Sequence, residues 1–116
     1  MNNQGFSLIV VPVTDLAAAR SLYAKLLGVE PYAESPYYVG FRVGQVELGL
    51  DPNGHRQGLT GPLPYCSVSD LASSLEALTA AGATVVQQPK EVGGGRSIAW
   101  VRDADNNLVG LMHTPS

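Results

Sequence analysis

The chain repeats itself. Residues 7–24 (SLIVVPVTDLAAARSLYA) align without a gap on residues 62–79 (PLPYCSVSDLASSLEALT), so that Leu8 falls on Leu63, Val13 on Val68, Asp15 on Asp70 and Leu16 on Leu71, a constant offset of 55 positions. A repeat of this length in 116 residues makes each half one supersecondary unit, and pairing the halves buries a face that neither hides alone. At this size folding removes roughly two-thirds of the unfolded chain's surface from water, enough for a core without disulfide or metal staples. The expected organisation is a single domain over residues 1–116, with a first module at 1–51, a linker at 52–62 and a second module at 63–116.

Residues 6–13 are rich in β-branched side chains and short enough for a buried strand. Thr14 or Asp15 then caps a helix whose apolar positions Leu16, Ala19, Tyr23, Leu26 and Leu27 recur at the helical period, and Gly28 is placed to end it. Three short strands follow, near 29–34, 37–43 and 45–50, the first of them an edge or broken strand because of Pro31 and Pro36. The second half repeats the order: a strand at 65–68, a helix from Leu71 through Leu75 and Leu78 to Gly82, and strands near 84–88, 97–102 and 108–113. The segment between the copies, DPNGHRQGLTGPLP, is dense in Gly and Pro and reads as an exposed connection in which His55 is a solvated loop residue. The fold class is therefore α+β: two βαβββ modules forming a curved, mostly antiparallel sheet around a cavity, with the helices outside.

Composition excludes several partners. A net charge of −3 with seven unclustered Lys and Arg offers no basic stripe for a phosphate backbone, so nucleic acid is not expected. The apolar run at 8–13 is too short to span a bilayer and no cationic region precedes it, so no membrane partner is expected either. The single cysteine, Cys66, has no partner for an internal disulfide and reads as a small buried hydrophobe, compatible with a reducing cytoplasm.

The pattern resembles the glyoxalase, bleomycin-resistance and extradiol-dioxygenase superfamily, the vicinal oxygen chelate proteins. The residues that carry the resemblance are Val13-x-Asp15-Leu16 and Val68-x-Asp70-Leu71 at the strand-to-helix turns, Tyr23-x-x-Leu26-Leu27-Gly28 and Ala80-Ala81-Gly82-Ala83 at the helix ends, and the turn Arg102-Asp103-Ala104-Asp105-Asn106-Asn107-Leu108. In that turn Ala104 stands for the family's Pro and Asn106 for its Gly; Asn tolerates a left-handed backbone, so the turn should persist. The spacing of Asp103, Asp105 and Asn107 does not make a calcium loop, because Leu108 occupies the glycine position and no acidic residue closes the site.

The resemblance implies metal ligands of the His, Gln or Glu type on the first and last strand of each module. Carried over by register, those positions are Leu8, Glu47, Leu63 (or Pro64 if the strand slips by one) and Gly110, and of these Glu47 alone can bind a metal. A catalytic divalent ion needs three or more converging ligands. His113 falls on the opposite face of its strand from Gly110 and Met112 by alternation. No metal and no other cofactor is expected.

What remains is a cup of apolar and aromatic groups. Alternation turns Gln45, Glu47 and Gly49 inward with Leu8 and Val10, and Val46, Leu48 and Leu50 toward the helix; Tyr37, Tyr38, Phe41, Tyr65 and Trp100 are the aromatics available near the mouth. The expected ligand-binding set is Glu47, Gln45, Phe41, Tyr65, Trp100, Met112, Tyr38 and Arg96, suited to a planar or amphipathic small molecule oriented by Glu47 or Gln45. An inward carboxylate is costly unless paired, and Arg42, Arg96 or Arg102 would neutralise it. Gly93-Gly94-Gly95-Arg96 reads as a flexible lid or hairpin tip, since no helix or Lys-Ser/Thr follows it as a phosphate loop demands.

Two functions from different classes follow. The first is a metal-free binding protein that sequesters an organic compound, as the resemblance to the bleomycin-resistance branch implies. The second is an enzyme, a lyase, isomerase or dioxygenase with a displaced metal site, or an acid/base catalyst centred on Glu47. The resemblance further implies a homodimer.

Overall fold

The computed structural model describes residues 3–115. The elements run β1 (Asn3–Pro12), α1 (Leu16–Leu27), β2 (Ala33–Ser35), β3 (Tyr38–Val43), β4 (Val46–Asp51), β5 (Leu63–Val68), α2 (Leu71–Ala80), β6 (Thr84–Gly93), β7 (Arg96–Arg102) and β8 (Leu108–His113), so the order βαβββ occurs twice in an α+β chain. The chain divides into two compact units, one of residues 8–63, the other of residues from Pro64 onward with the start of β1 up to Ser7. No helix among the described residues is long and apolar enough to cross a membrane.

In the first unit the strands lie in the order β2-β3-β4-β1. β1 runs parallel to β4, with Leu8 opposite Glu47 and Val10 opposite Gly49. β3 runs antiparallel to β4, with Gly40 opposite Gly49 and Arg42 opposite Glu47. Side chains alternate across a strand, so Val39, Phe41, Leu48 and Leu50 share one face, and they pack there with Leu16, Ala19, Tyr23, Ala24 and Leu27 of α1. Phe41 and Leu50 are wholly buried. The other face carries Leu8, Val10, Gly40, Arg42, Glu47 and Gly49.

Local chemistry sets the limits of α1. The Asp15 carboxylate accepts from the Ala18 amide at 3.0 Å and satisfies one of the unpaired first-turn donors. Gly28 closes the helix in the left-handed region, φ 72°, donating its amide to the Ala24 carbonyl. Leu26, expected on the apolar stripe, is 70 % exposed. It lies just outside the arc of α1 residues that pack with the sheet, Leu16, Ala19, Tyr23, Ala24 and Leu27.

The second unit repeats the plan, in the order β5-β8-β7-β6. β5 pairs parallel with β8 and β7 antiparallel with β8. Val68, Leu71, Leu75, Ala99, Val101 and Leu111 form its helix-side core, with Cys66 packed against it. Asp70 caps α2 through the Ser73 amide at 3.1 Å. Replacing Asp15 or Asp70 by Ala should each cost about 1 kcal/mol, read as a lower urea midpoint at unchanged slope.

Turns depart from the expectation in detail. β2 is cut to three residues, as the flanking Pro31 and Pro36 demand. β6 extends to Gly93, past Pro89, with register shifts along its pairing to β7. Gly94 and Gly95, at φ 60° and 74°, make the two-residue hairpin tip before Arg96. The connection at 52–62 is anchored rather than wholly exposed: a single 3-10 turn spans His55–Gln57 and Leu59 is buried, although His55 is exposed as expected.

The turn before β8 is tied by Asp103, whose carboxylate accepts from the Asp105 and Asn107 amides and the Asn107 side chain. Asn106 takes the left-handed conformation, φ 70°. The side-chain bond from Asn107, then its backbone amide, hold the Asp103 carboxyl below its ordinary range. A depressed folded-state value contributes stability above the unfolded value, near pH 4, that is lost as pH falls through the folded value. The Asp103→Ala penalty in urea unfolding should therefore be full at pH 7 and shrink toward pH 3.

Candidate functional site

The charged centre of the first unit is Glu47, the second residue of β4 and 9 % exposed. Leu8 flanks it on β1, itself buried. A carboxylate on such a face must be paired. The Tyr32 hydroxyl donates to Glu47 Oε1 at 2.6 Å, and Arg42 Nη2 donates to the same oxygen at 2.8 Å. Arg42 also stands over the Tyr32 ring, its Cζ 4.3 Å from the ring centroid. Of the three arginines weighed as partners, β3 supplies Arg42 because it lies directly across from Glu47 in the antiparallel register.

The row beside Glu47 is made of glycine. Gly40 and Gly49 face each other across β3 and β4, and a tyrosine ring fills the place each leaves. A Cβ on Gly49 would meet the Tyr38 phenol within 2.8 Å, and one on Gly40 would come to 3.1 Å from the Tyr32 ring. A side chain at Gly49 would displace the Tyr38 phenol and one at Gly40 would press on the Tyr32 ring, so close approach of an aromatic side chain, not backbone angle, is what glycine accommodates at both positions. Tyr38 lies on the Glu47 face as expected.

Two expected members of this face are elsewhere. Phe41 does not border the site: its strand position matches Val39, and it is buried against α1 on the opposite face. Gln45 is not on a strand; Gly44, at φ 61°, and Gln45 form the exposed tip between the paired Val43 and Val46. The inward alternation assigned to β4 holds from Glu47 onward, but Gln45, two residues earlier, already belongs to the hairpin turn.

The second unit has an aromatic surface of its own. The Tyr65 ring lies over Gly110, where a Cβ would collide with Cδ1 of the ring, and Trp100 Nε1 donates to the Tyr65 hydroxyl at 2.7 Å. Tyr65, Trp100 and Met112 are each less than 9 % exposed. Arg96 starts β7 at the edge of the Gly94–Gly95 tip, on the strand face it shares with Ile98 and Trp100. Tyr37 is 72 % exposed. His113 belongs to neither surface, its Nδ1 donating to the Val68 carbonyl.

Sequence reasoning missed Tyr32. It falls outside any regular element, between Pro31 and the start of β2, so no periodicity marks it. Its approach to Glu47 depends on the backbone bond from the Tyr32 amide to the Gly40 carbonyl, a tertiary event.

A family model for the Glyoxalase/Bleomycin resistance protein/Dioxygenase superfamily matches residues 5–111. The chain belongs to this superfamily. Members and other solved structures share its fold at low identity. A hypothetical protein from Bacillus halodurans superposes with TM-score 0.79 at 13 % identity, covering 100 % of this chain and 97 % of that one. Methylmalonyl-CoA epimerase from Mycobacterium tuberculosis gives 0.74 at 20 %, covering 98 % and 90 %. A glyoxalase/bleomycin resistance protein/dioxygenase superfamily member from Vibrio splendidus gives 0.68 at 16 %, covering 91 % and 95 %. No curated protein matches the chain significantly.

The metal positions expected from the superfamily do not suit an ion in this chain. The strand register also shows that two of them are not equivalent positions of the repeat: Tyr65 pairs with Gly110 as Val10 pairs with Gly49, so Gly110 repeats Gly49, and the repeat of Glu47 is Leu108. Leu8 and Leu108 offer hydrocarbon, and Gly110 lies under the Tyr65 ring. Among the described residues no three His, Cys, Asp or Glu side chains come together. A single carboxylate already bonded to Arg42 and Tyr32 does not make a divalent-ion site.

Proposed function

We propose that the protein is a metal-free member of the superfamily that binds and sequesters a small organic molecule, with Glu47 orienting the ligand. The observation that carries this reading is a nearly buried carboxylate on an aromatic and aliphatic face, held in place by Tyr32 and Arg42. One fixed acceptor among rings and aliphatic groups orients a ligand, while burial supplies its affinity. Tyr38 belongs to the same proposed site; Tyr65, Trp100, Met112 and Arg96 are proposed as ligand contacts on their own unit. A homodimer and a cytoplasmic location belong to the proposal, the first tested by mass in solution.

The test is a thermal-shift screen of planar aromatic compounds against purified protein. A compound that raises the melting temperature of the wild type should lose that effect in Glu47→Ala, by at least about tenfold in affinity if the acceptor bond is charge-assisted. Stabilisation indifferent to Glu47 would move the site elsewhere. Stoichiometric zinc, nickel, manganese or iron in the purified protein would overturn the metal-free reading.

A second reading is favoured by the Tyr32 hydroxyl, which gives Glu47 a neighbouring group able to carry a proton. The pair would then serve proton transfer at carbon. Solvent deuterium incorporated into an acyl thioester by the wild type, but not by Glu47→Gln, would establish it.

A further inference from the structure

The Glu47 face already holds a ligand-like group, and that group is part of the chain. The Tyr32 phenol lies over Gly40, at a distance where any Cβ would crowd its Cε1, Cζ and Oη. Its hydroxyl donates to Glu47 and the Arg42 guanidinium stands over its ring. A flat floor, an acceptor at the far end and a cation above the π face are the contacts a free hydroxy- or amino-substituted arene would use.

Tyr32 is not a core residue: 48 % of it is exposed. It stands at the entrance to β2, an edge strand that pairs with β3 through Ala33, Glu34 and Ser35. The segment is fastened to α1 by Arg20, which bonds Glu30 at 3.0 Å and Glu34 at 2.8 Å and so brackets Tyr32 on both sides. Both acidic partners are more than half exposed. Ion pairs of this kind hold weakly and are screened by salt.

We infer that Tyr32 is a built-in occupant of the Glu47 site, and that the ligand is a flat aromatic ring with one hydroxyl or amino donor, which takes the place of Tyr32 when the Arg20-fastened segment lifts. This rests on the ligand-binding role proposed above for the same face. An occupant tethered in place competes at high effective concentration, so apparent affinity falls by the fraction of molecules in which the place is open. Loosening the fastening raises that fraction without touching the site.

The experiment titrates p-cresol, p-toluidine and toluene into the wild type, Tyr32→Ala, Tyr32→Phe, Arg20→Ala and Tyr32→Ala/Glu47→Ala, with calorimetry as the readout. Both donor-bearing probes should bind Tyr32→Ala at least about tenfold more tightly than the wild type. Tyr32→Phe, which keeps the ring and drops the hydroxyl, should fall between them and covers the case in which the alanine variant loosens β2. Arg20→Ala, with Tyr32 intact, should also bind more tightly than the wild type, and added salt should narrow that difference. Toluene should bind Tyr32→Ala more weakly than p-cresol, and removing Glu47 should erase the preference.

Equal p-cresol affinity in the wild type, Tyr32→Phe and Tyr32→Ala would overturn the competing role of Tyr32. Equal binding of toluene and p-cresol to Tyr32→Ala, or binding of p-cresol to no variant, would overturn the ligand class. The sequestering function fails separately: if no compound stabilises the wild type while p-cresol binds Tyr32→Ala through Glu47, that function falls and the built-in occupant stands. Wild-type ligands that need Glu47 but ignore Tyr32 give the converse.

Discussion

Phe41→Ala should cost about 3–5 kcal/mol, the loss of a large side chain from the centre of a packed core. Phe41 has no exposed surface and packs with Val39, Leu50 and the inner side of α1. Removing the ring forfeits its transfer from water and leaves a cavity that neighbouring strands cannot close, because β3 is held between β2 and β4. Domains of this size are stable by only about 5–15 kcal/mol, so the variant should melt roughly 10–20 °C lower, read by circular dichroism. Phe41→Leu, which keeps most of the volume, should lose less than half as much. A loss below about 1 kcal/mol would place the ring on the Glu47 face after all, where truncation opens a ligand surface and not a core void.

Gly110→Val should destabilise by about 3 kcal/mol. The new Cβ would meet Tyr65 at Cδ1, Cε1 and Cγ, all within 2.8 Å, and these are atoms near the base of a ring that cannot bend away. Tyr65 must rotate out, and the bond from Trp100 Nε1 to its hydroxyl goes with it, leaving a buried indole N–H without that acceptor. Gly61→Val is the control, since nothing lies within 4 Å of a Cβ there and its backbone is not left-handed. In the Tyr65→Ala background the Gly110→Val penalty should shrink by about 1–3 kcal/mol, measured by urea unfolding of the four proteins in the cycle. Strict additivity would mean that Gly110 is required for a reason other than the ring above it.

These two sites differ in how far they can be read from the sequence. The position of Phe41 on the helix side follows from the same alternation that turns Leu48 and Leu50 toward the helix, once β3 and β4 are known to pair Phe41 with Leu48. Without that register an aromatic on a strand next to a chemically interesting carboxylate invites assignment to the site. Gln45 fails for a related reason. A strand one residue too long converts a turn residue into an inward one, and glycine at position 44 with φ 61° is the residue that decides it.

The candidate site was half legible. Glu47 stands out because a carboxylate in an otherwise apolar alternating strand needs a reason, and Arg42 was among its possible partners. Tyr32 carries no comparable signal. It reaches Glu47 because β2 folds back along β3, and two glycines facing each other leave room for tyrosine rings that their own positions do not announce.

Local chemistry written in the chain determined the elements of this protein: the duplicated order, the Asp15 and Asp70 caps, the Gly28 stop, the proline-cut β2 and the left-handed Asn106. Each depends on a residue and its near neighbours, so each survives without knowledge of the rest. Tertiary structure alone decided which groups meet. Strand register chose Leu108 as the repeat of Glu47, set Arg42 and Tyr32 on one carboxylate oxygen, and laid tyrosine rings over glycines, because a shift of one residue in pairing exchanges the two faces of a strand and every contact made on them.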